Sequence, residues 1–213
     1  ESGAFLFSPG DVKFKDLNGD GVIDYGKNTV SDHGDLKRIG NTQPRYEYGF
    51  RLGFSYKGFD FSTFFQGVGK RALWARGTIV MAGYNATEAN YEYQLDYWTP
   101  ENPNAFYPRP INYGSAAQWN YQVQTRYMLN LAYLRCKTMR IGYSVPNKVL
   151  RRAHIKGLNV FTSVENPFEF DKLGPIQIDP EINYTSKTSI DGRSFGRSYP
   201  YVRTLTVGLQ LSL

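Results

Sequence analysis

The sequence predicts an all-β fold made of about five long strands. Three observations carry this prediction: apolar and polar side chains alternate with a period of two, helical periodicity is weak throughout, and short connections alternate with very long ones. The first predicted strand shows the alternation best. Between residues 46 and 56 every even position is Tyr, Phe or Leu, and every odd position is Glu, Gly, Arg or Ser. This run is longer than the typical strand of about 5–6 residues.

Four further strands follow, and the first of these forms a hairpin with strand 46–56 through a tight Lys57-Gly58 turn. The third strand of the chain alternates out of phase in its two halves, which predicts a β-bulge near Lys137. The last strand carries a row of aliphatic residues on one face and Thr, Gly, Gln and Ser on the other. The four predicted ranges are 59–67, 131–145, 155–165 and 201–213.

The lengths of the connections favour a membrane barrel over a soluble domain. Long segments precede the first strand, separate the second from the third, and separate the fourth from the fifth, whereas the two remaining links are short. Structureless connections of such length are uncommon inside a compact soluble domain. Outer-membrane barrels, in contrast, have short periplasmic turns and long extracellular loops. If the last strand ends in the periplasm, both short links are periplasmic and all three long segments are extracellular.

Composition excludes several other classes. No apolar run approaches the ~20 residues of a membrane-spanning helix. The single cysteine gives no disulfide framework, and two separated histidines give no metal cluster or triad. The net charge of +6 would suit a nucleic-acid partner, but the basic residues are scattered, so no nucleic-acid partner is predicted. The densest basic group is interpreted as a solvated turn; it comprises Lys148, Arg151, Arg152 and Lys156.

The aromatic content also favours the barrel. The chain has 17 Tyr and 14 Phe, many at predicted strand ends, where membrane barrels carry aromatic girdles. A soluble β-sandwich shows the same alternation, so a soluble, calcium-dependent, carbohydrate-binding sandwich is the alternative hypothesis. A dockerin-like module is a weaker third hypothesis, because it would need a second calcium loop and the sequence has none.

Residues 16–24 match the beginning of a calcium-binding loop, in which oxygen ligands at alternate positions converge on a hard cation. The twelfth position of the loop is Lys27, where an EF-hand has Glu, so Asp24 or a distant acid such as Asp32 or Asp35 would have to complete the shell. An ion-free turn is the alternative interpretation. The candidate ligands are Asp16, Asn18, Asp20, the Val22 carbonyl and Asp24.

No catalytic site and no organic cofactor are predicted. The acids Asp171, Asp179 and Glu181 suggest the paired carboxylates of a glycosidase, but nothing in the sequence places two of them together. The three tryptophans lie in the long segment 68–130. Aromatic side chains there either bind a sugar or protein partner or pack the segment against itself.

Several phrases of the sequence together span nearly the whole chain. They are residues 10–21 (GDVKFKDLNGDG), 39–41 with Pro44, 64–67 (FFQG), 98–105 (WTPENPNA), 133–135 (YLR), 142–146 (GYSVP), 179–181 (DPE), and 199–200 with 203–204. In this order they resemble the SusC/RagA family of TonB-linked outer-membrane proteins. The departures are modest: Glu165-Asn166-Pro167 stands where the family has a Gln-Asn-Leu-like phrase, and Leu213 stands where Phe is common.

The resemblance implies that the chain supplies the C-terminal strands of a large TonB-dependent transporter barrel of about 22 strands with a plugged lumen. It further implies a Gram-negative, Bacteroidota-like outer membrane, glycan or peptide as cargo, and a SusD-like surface lipoprotein as an extracellular lid. TonB would act through the N-terminal plug region, which is absent here. The chain starts at Glu1 with no signal-peptide pattern, so we interpret it as a fragment or a processed product.

The resemblance also assigns roles to particular residues. The loop that would meet the lid or substrate carries Trp98, Glu101, Asn102 and Asn104. The residues expected to face the lumen are Glu47, Arg51, Asp60, Gln66 and Arg140. The last strand resembles the terminal signal that the barrel-assembly machinery recognises, carried by Thr206, Gly208, Leu211 and Leu213. Its other backbone edge would pair with the first strand of the barrel, which this chain lacks.

Overall fold

Long antiparallel strands form the main sheet of the computed structural model, which describes residues 7–75, 77–84, 89–111, 119–151, 154–182, 195–196, 198–199 and 201–212. In chain order the strands are β1 Tyr46–Tyr56, β2 Phe59–Gly69, β3 Ala72–Leu73, β4 Leu129–Asn130, β5 Tyr133–Ser144, β6 Gly157–Asp171 and β7 Thr204–Ser212. The main sheet has the order β1-β2-β5-β6-β7, and β3 and β4 pair separately. Glu92–Leu95 forms a 3₁₀ turn and Asn147–Leu150 a single helical turn, α1.

All five predicted strands are present, and each is antiparallel to its neighbour in the main sheet. The β1–β2 link is a two-residue turn in which Lys57 and Gly58 both have positive φ, 47° and 87°. This backbone matches the right-handed twist of the flanking strands. The hairpin was therefore predicted correctly from the sequence.

The predicted ends were less accurate, most of all for β6. The prediction ended this strand at Glu165, whereas it continues to Asp171. Between the paired residues Glu165 and Phe168, β6 has two residues, Asn166 and Pro167, where β5 has only Lys137. Asn166 adopts a φ of 49°, and pairing with β5 resumes at Phe168. The predicted final residue of the last strand, Leu213, lies outside the described residues.

The predicted bulge lies at Lys137. Phe64 of β2 pairs with Thr138, and the next residue, Phe65, pairs with Cys136, so Lys137 is the extra residue of β5. A bulge exchanges the faces on which later side chains point. It therefore explains why the two halves of this strand alternate out of phase in the sequence.

The register gives the main sheet one apolar and one polar face. The apolar face continues across all five strands and is largely exposed; at its edge Leu205, Val207 and Leu209 are 68%, 71% and 71% exposed. Aromatic residues lie near both ends of this face: Tyr46 and Tyr48 near one end, Tyr56 and Phe59 near the other. An uncovered apolar surface of this extent marks an interaction with lipid or another apolar partner.

The chain forms two compact units. The sheet unit comprises Thr42–Ala72, Asn130–Ile182 and Arg197–Leu213, and the loop unit comprises Glu1–Asn41, Leu73–Leu129 and Asn183–Gly196. The buried residues of the loop unit include Val80, Met81, Gln94, Tyr107 and Asn120. Within the described ranges, no helix has the length and apolar character needed to cross a membrane.

Candidate functional site

The polar face of the main sheet carries all the residues that the sequence predicted to line a lumen. The register places Glu47, Arg51, Asp60, Gln66 and Arg140 on this one face. Arg140 connects three strands, because its guanidinium forms an ion pair with Asp60 of β2 and donates to Asn159 Oδ1 of β6 at 3.2 Å. Gly142 leaves room for this pair, since a Cβ there would lie 2.5 Å from Asp60 Oδ1. That this face lines a lumen stays a prediction.

A larger charge cluster lies at the end of the polar face away from the short connections. Its centre is Arg135, whose side chain is 4% exposed. The guanidinium contacts the carboxylates of Glu169, Asp179 and Glu181 at 2.5, 2.9 and 2.6 Å. Lys137, the bulge residue, adds a contact of 3.0 Å to Glu181. We call these five residues the Arg135 cluster; no pattern in the sequence indicated it.

The Arg135 cluster fastens the segment after β6 to the sheet. The Tyr201 ring lies over Arg135 and Lys137, with its centroid 4.4 Å from the guanidinium carbon and 4.7 Å from the ammonium. Arg71 donates to the carbonyl oxygen of Pro180 at 3.3 Å, so cations hold both the side chains and the backbone of residues 179–181.

The structure corrects one interpretation of the acids. The sequence did not indicate that any two of the three carboxylates meet at one site. In the structure, however, Asp179 and Glu181 both contact the guanidinium of Arg135. Asp179 Oδ1 also accepts a hydrogen bond from the Glu181 amide at 2.9 Å. Carboxylates held in this way by cations have a structural role, because a general acid or base must be free to exchange a proton with a substrate.

In the loop unit, a polar cluster around Asp11 ties three distant segments together. Arg109 donates two hydrogen bonds to the Asp11 carboxylate, at 2.8 and 2.9 Å, and Asn120 Nδ2 donates a third at 2.9 Å. Burial raises the pKa of Asp11, but these hydrogen bonds and that from the Ser8 amide outweigh burial and hold the pKa below its usual range. The side chain therefore stays ionised at neutral pH and keeps the segments joined.

Gly10 lets the predicted contact loop pack against this cluster. Its φ is 91°, and a Cβ there would lie 2.6 Å from Trp98 Cδ2 and 3.0 Å from Arg109 Cβ. Trp98 is consequently half-buried by its own unit. The other three residues of the predicted contact loop are exposed around a turn: Glu101, Asn102 and Asn104.

The acidic loop that resembles a calcium site is organised by hydrogen bonds to backbone amides. Asp16 accepts from Gly19 and Gly21 at 2.6 and 2.9 Å, and Asp20 accepts from Val22 at 2.8 Å. The Asp35 carboxylate accepts from the Leu17 and Asp24 amides, which lowers its pKa and closes the base of the loop. Among the described residues, no three Asp, Glu, His or Cys side chains are grouped closely enough to hold a metal.

A cluster of aromatic residues fills the interior of the loop unit. The rings of Tyr107 and Tyr127 stack at 5.9 Å, and Phe106 meets both edge-on. Burial raises the pKa of Tyr107 and Tyr127 to about 12, so both hydroxyls stay neutral at physiological pH. These aromatic residues pack the long segment against itself, as one of the two interpretations from sequence proposed.

The residues of the predicted assembly signal alternate between the faces of β7. Thr206 and Gly208 lie on the polar face and Leu211 on the apolar face, whereas Leu213 lies outside the described residues. A Cβ at Gly208 would lie 2.7 Å from Phe161 Cε1, so the glycine makes room for this ring.

Sequence comparison identifies relatives of the chain. No protein-family model matches it. Over 211 residues the chain is 33% identical to a TonB-dependent receptor of Formosa agariphila, and over 216 residues it is 28% identical to a second TonB-dependent receptor of that organism. Each alignment covers 95% of this chain, which spans 19% and 20% of the two receptors.

Solved structures with a similar fold include two of RagAB. One, of the RagAB peptide transporter, has a TM-score of 0.58 at 21% identity and covers 81% of this chain and 17% of that chain. The other, of the RagAB peptide importer in its closed-closed state, has a TM-score of 0.60 at 22% identity and covers 82% of this chain and 18% of that chain. These likenesses show that the sheet has the fold of part of a TonB-dependent transporter β-barrel, and over nearly its whole length the chain is related to TonB-dependent receptors.

Proposed function

We propose that this chain forms part of the wall of a TonB-dependent outer-membrane transporter that imports glycans or peptides beneath a SusD-like lipoprotein lid. The observation that carries the proposal is the two-faced sheet. Its apolar face spans five strands and is largely exposed, and its polar face carries ion pairs. A wall between lipid and a polar interior has this construction, because lipid-facing and lumen-facing side chains alternate along each barrel strand.

The soluble sandwich hypothesis does not fit this sheet. A sandwich buries the apolar face of each sheet against a second sheet about 10 Å away. In the described residues the main sheet is the only one with long strands, and its apolar face is exposed. Lipid is therefore the better partner for this face.

The remaining parts of the proposal rest on the relatives. The chain spans about a fifth of each receptor, so coupling to TonB and insertion by the barrel-assembly machinery are proposed for the whole protein. RagAB, whose fold is similar, is a peptide transporter, which supports peptide as one of the two cargo classes. We propose no catalytic activity, since the acids that come together are paired with cations.

The turn after Trp98 offers a test of the lid. We expect Glu101→Ala combined with Asn104→Ala to weaken lid association about tenfold, since exposed contact residues at a protein interface contribute about 1 kcal/mol or less each and a few contribute more. Both side chains are exposed, and Trp98 keeps its packing against Gly10. The measurement is the amount of lipoprotein that co-purifies with the full-length transporter under increasing salt.

A matched control changes a charged residue and an asparagine on the short connections, Lys57→Ala with Asn147→Ala, both exposed. This variant should retain the lipoprotein at the wild-type level. Equal retention by both double variants would show that the turn does not contact the lid.

We further propose that the acidic loop binds Ca²⁺. Its donors are oxygen atoms, which suit this cation, and the loop already turns around Asp16 through amide hydrogen bonds. To bind, Asp16, Asp20 and Asp24 must turn towards one point, because the described side chains do not converge there. Calcium would then supply a rigid cross-link for an exposed loop.

Limited proteolysis measures this binding. At a calcium concentration about ten times the dissociation constant, we expect cleavage within residues 16–35 to slow about tenfold, and Asp20→Asn to abolish this protection. Glu92→Gln, an exposed acid elsewhere in the loop unit, is the control and should keep it. Equal calcium protection in wild type and Asp20→Asn would show that Asp20 is not a calcium ligand. Equal cleavage rates of the wild type in calcium and in chelator would show that the loop does not bind calcium.

A further inference from the structure

One end of the main sheet carries both short connections and is strongly basic. Lys57 lies in the β1–β2 turn, and Lys148, Arg151 and Lys156 lie in the β5–β6 connection. The two connections are neighbours, because the Ser144 amide donates to the Gly58 carbonyl at 2.7 Å. We call these four cations the basic edge.

Within the described residues, no acid neutralises the basic edge. The sequence contains no Asp or Glu between Glu101 and Glu165. In the part of the chain that the structure describes, the ion pairs lie elsewhere: at Arg135 and Lys137, at Arg140, at Arg109 and at Lys27. Three acids of the sheet unit are gathered at its other end, around Arg135. The positive potential of the basic edge is therefore available to an external anion.

Two of the three cations of the β5–β6 connection line one depression. Arg151 and Lys156 line a shallow, open hollow together with Asn147, His154 and Ile155. Leu150 anchors the helical turn α1, since its side chain is 5% exposed, while the neighbouring Val149 is 64% exposed. The hollow thus combines two cations with further polar groups and the half-buried side chain of Ile155.

The basic edge lies next to the apolar face of the sheet. At this end, that face carries Tyr56, Phe59 and Tyr143, and the last two rings pack at 4.6 Å. Aromatic residues of this kind occupy the headgroup level of a bilayer. Cations just beyond them lie where lipid phosphates are.

We propose that the basic edge and its hollow bind the headgroups of anionic phospholipids in the leaflet that adjoins the short connections. The inference rests on the proposed function, since it requires the apolar face to contact lipid. Lys and Arg donate charge-assisted hydrogen bonds to phosphate oxygens, and each cation near a membrane surface raises the local affinity for anionic lipid about fivefold. Nucleic acid is a poorer occupant, because the adjoining aromatic and aliphatic face would stay exposed to water.

The test measures lipid selectivity in the full-length transporter. The protein is reconstituted into nanodiscs of phosphatidylethanolamine and phosphatidylglycerol in equal amounts, and native mass spectrometry counts the lipids of each kind that it retains. We expect the wild type to retain phosphatidylglycerol preferentially, and Lys148→Gln/Arg151→Gln/Lys156→Gln to reduce the preference about tenfold or more at low salt. The matched control, Lys15→Gln/Lys37→Gln/Arg38→Gln, removes the same charge from exposed residues of the loop unit and should keep it.

Each other outcome overturns a defined claim. If the wild type neither fractionates with membranes nor shows heat-modifiable gel mobility, the proposed function fails. If it does both but shows no preference, or if the control triple variant loses as much as the test variant, the lipid inference fails alone. Displacement of the lipid by millimolar inorganic phosphate would indicate a site for free phosphate, and a duplex oligonucleotide that competes for the same cations would indicate nucleic acid; either result also overturns the inference.

Discussion

Replacing Arg135 by methionine is expected to lower the free energy of unfolding of the full-length protein by about 3–5 kcal/mol. The side chains of Arg135 and Asp179 are 4% and 7% exposed, so the substitution leaves a buried carboxylate without its cation. Methionine keeps most of the aliphatic volume, which limits the loss of packing. Urea unfolding of the full-length protein from lipid vesicles measures the change.

Lys137→Met is the internal comparison for this prediction. Lys137 is 21% exposed and contacts one carboxylate of the cluster, so we expect a loss of about 1 kcal/mol. Asp179→Asn in the Arg135→Met background should restore part of the stability, because it removes the unpaired charge. Similar losses in the Arg135 and Lys137 variants would show that the buried pair is not what holds the segment after β6.

Strands were predictable from the sequence because their signal is local. The two-residue alternation gave all five strands, and its change of phase gave the bulge at Lys137. The end of β6 was not predictable in this way. Asn166-Pro167 resembles a strand end, but pairing with β5 continues to Asp171. Pairing with another strand decides where such a strand stops, and the alternation within one segment gives no information about that partner.

The charge clusters were not predictable, because their members are far apart along the chain. Arg135 lies 34, 44 and 46 residues from the acids that it contacts. Asp11 lies 98 residues from Arg109. The neighbouring Gly10 is a lone glycine, and such a residue does not indicate which side chains pack against it. The phrase at residues 98–105 suggested a contact loop, but it gave no indication that Trp98 packs against Gly10.

The apolar face of β7 gives the second large prediction. Val207→Arg is expected to destabilise the inserted protein by about 2–4 kcal/mol, since an arginine near the middle of the lipid-facing wall loses its hydration. Val207 is 71% exposed in the structure, so the substitution causes no clash and removes little packing. In water the same change would be nearly neutral. The measurement is again the free energy of unfolding from lipid vesicles.

Thr206→Arg is the matched control, because neighbouring residues of a strand lie at the same depth and point to opposite faces. The register places Thr206 on the polar face beside Ser163, and its backbone carbonyl, which accepts from Thr162 Oγ1 at 3.1 Å, is not altered by the substitution. We therefore expect a loss below about 1 kcal/mol. The difference between the two variants isolates the effect of lipid, since strand propensity and side-chain size are nearly the same. Equal losses would mean that both faces meet the same surroundings, and the two-faced wall, with the transport function proposed from it, would then be wrong.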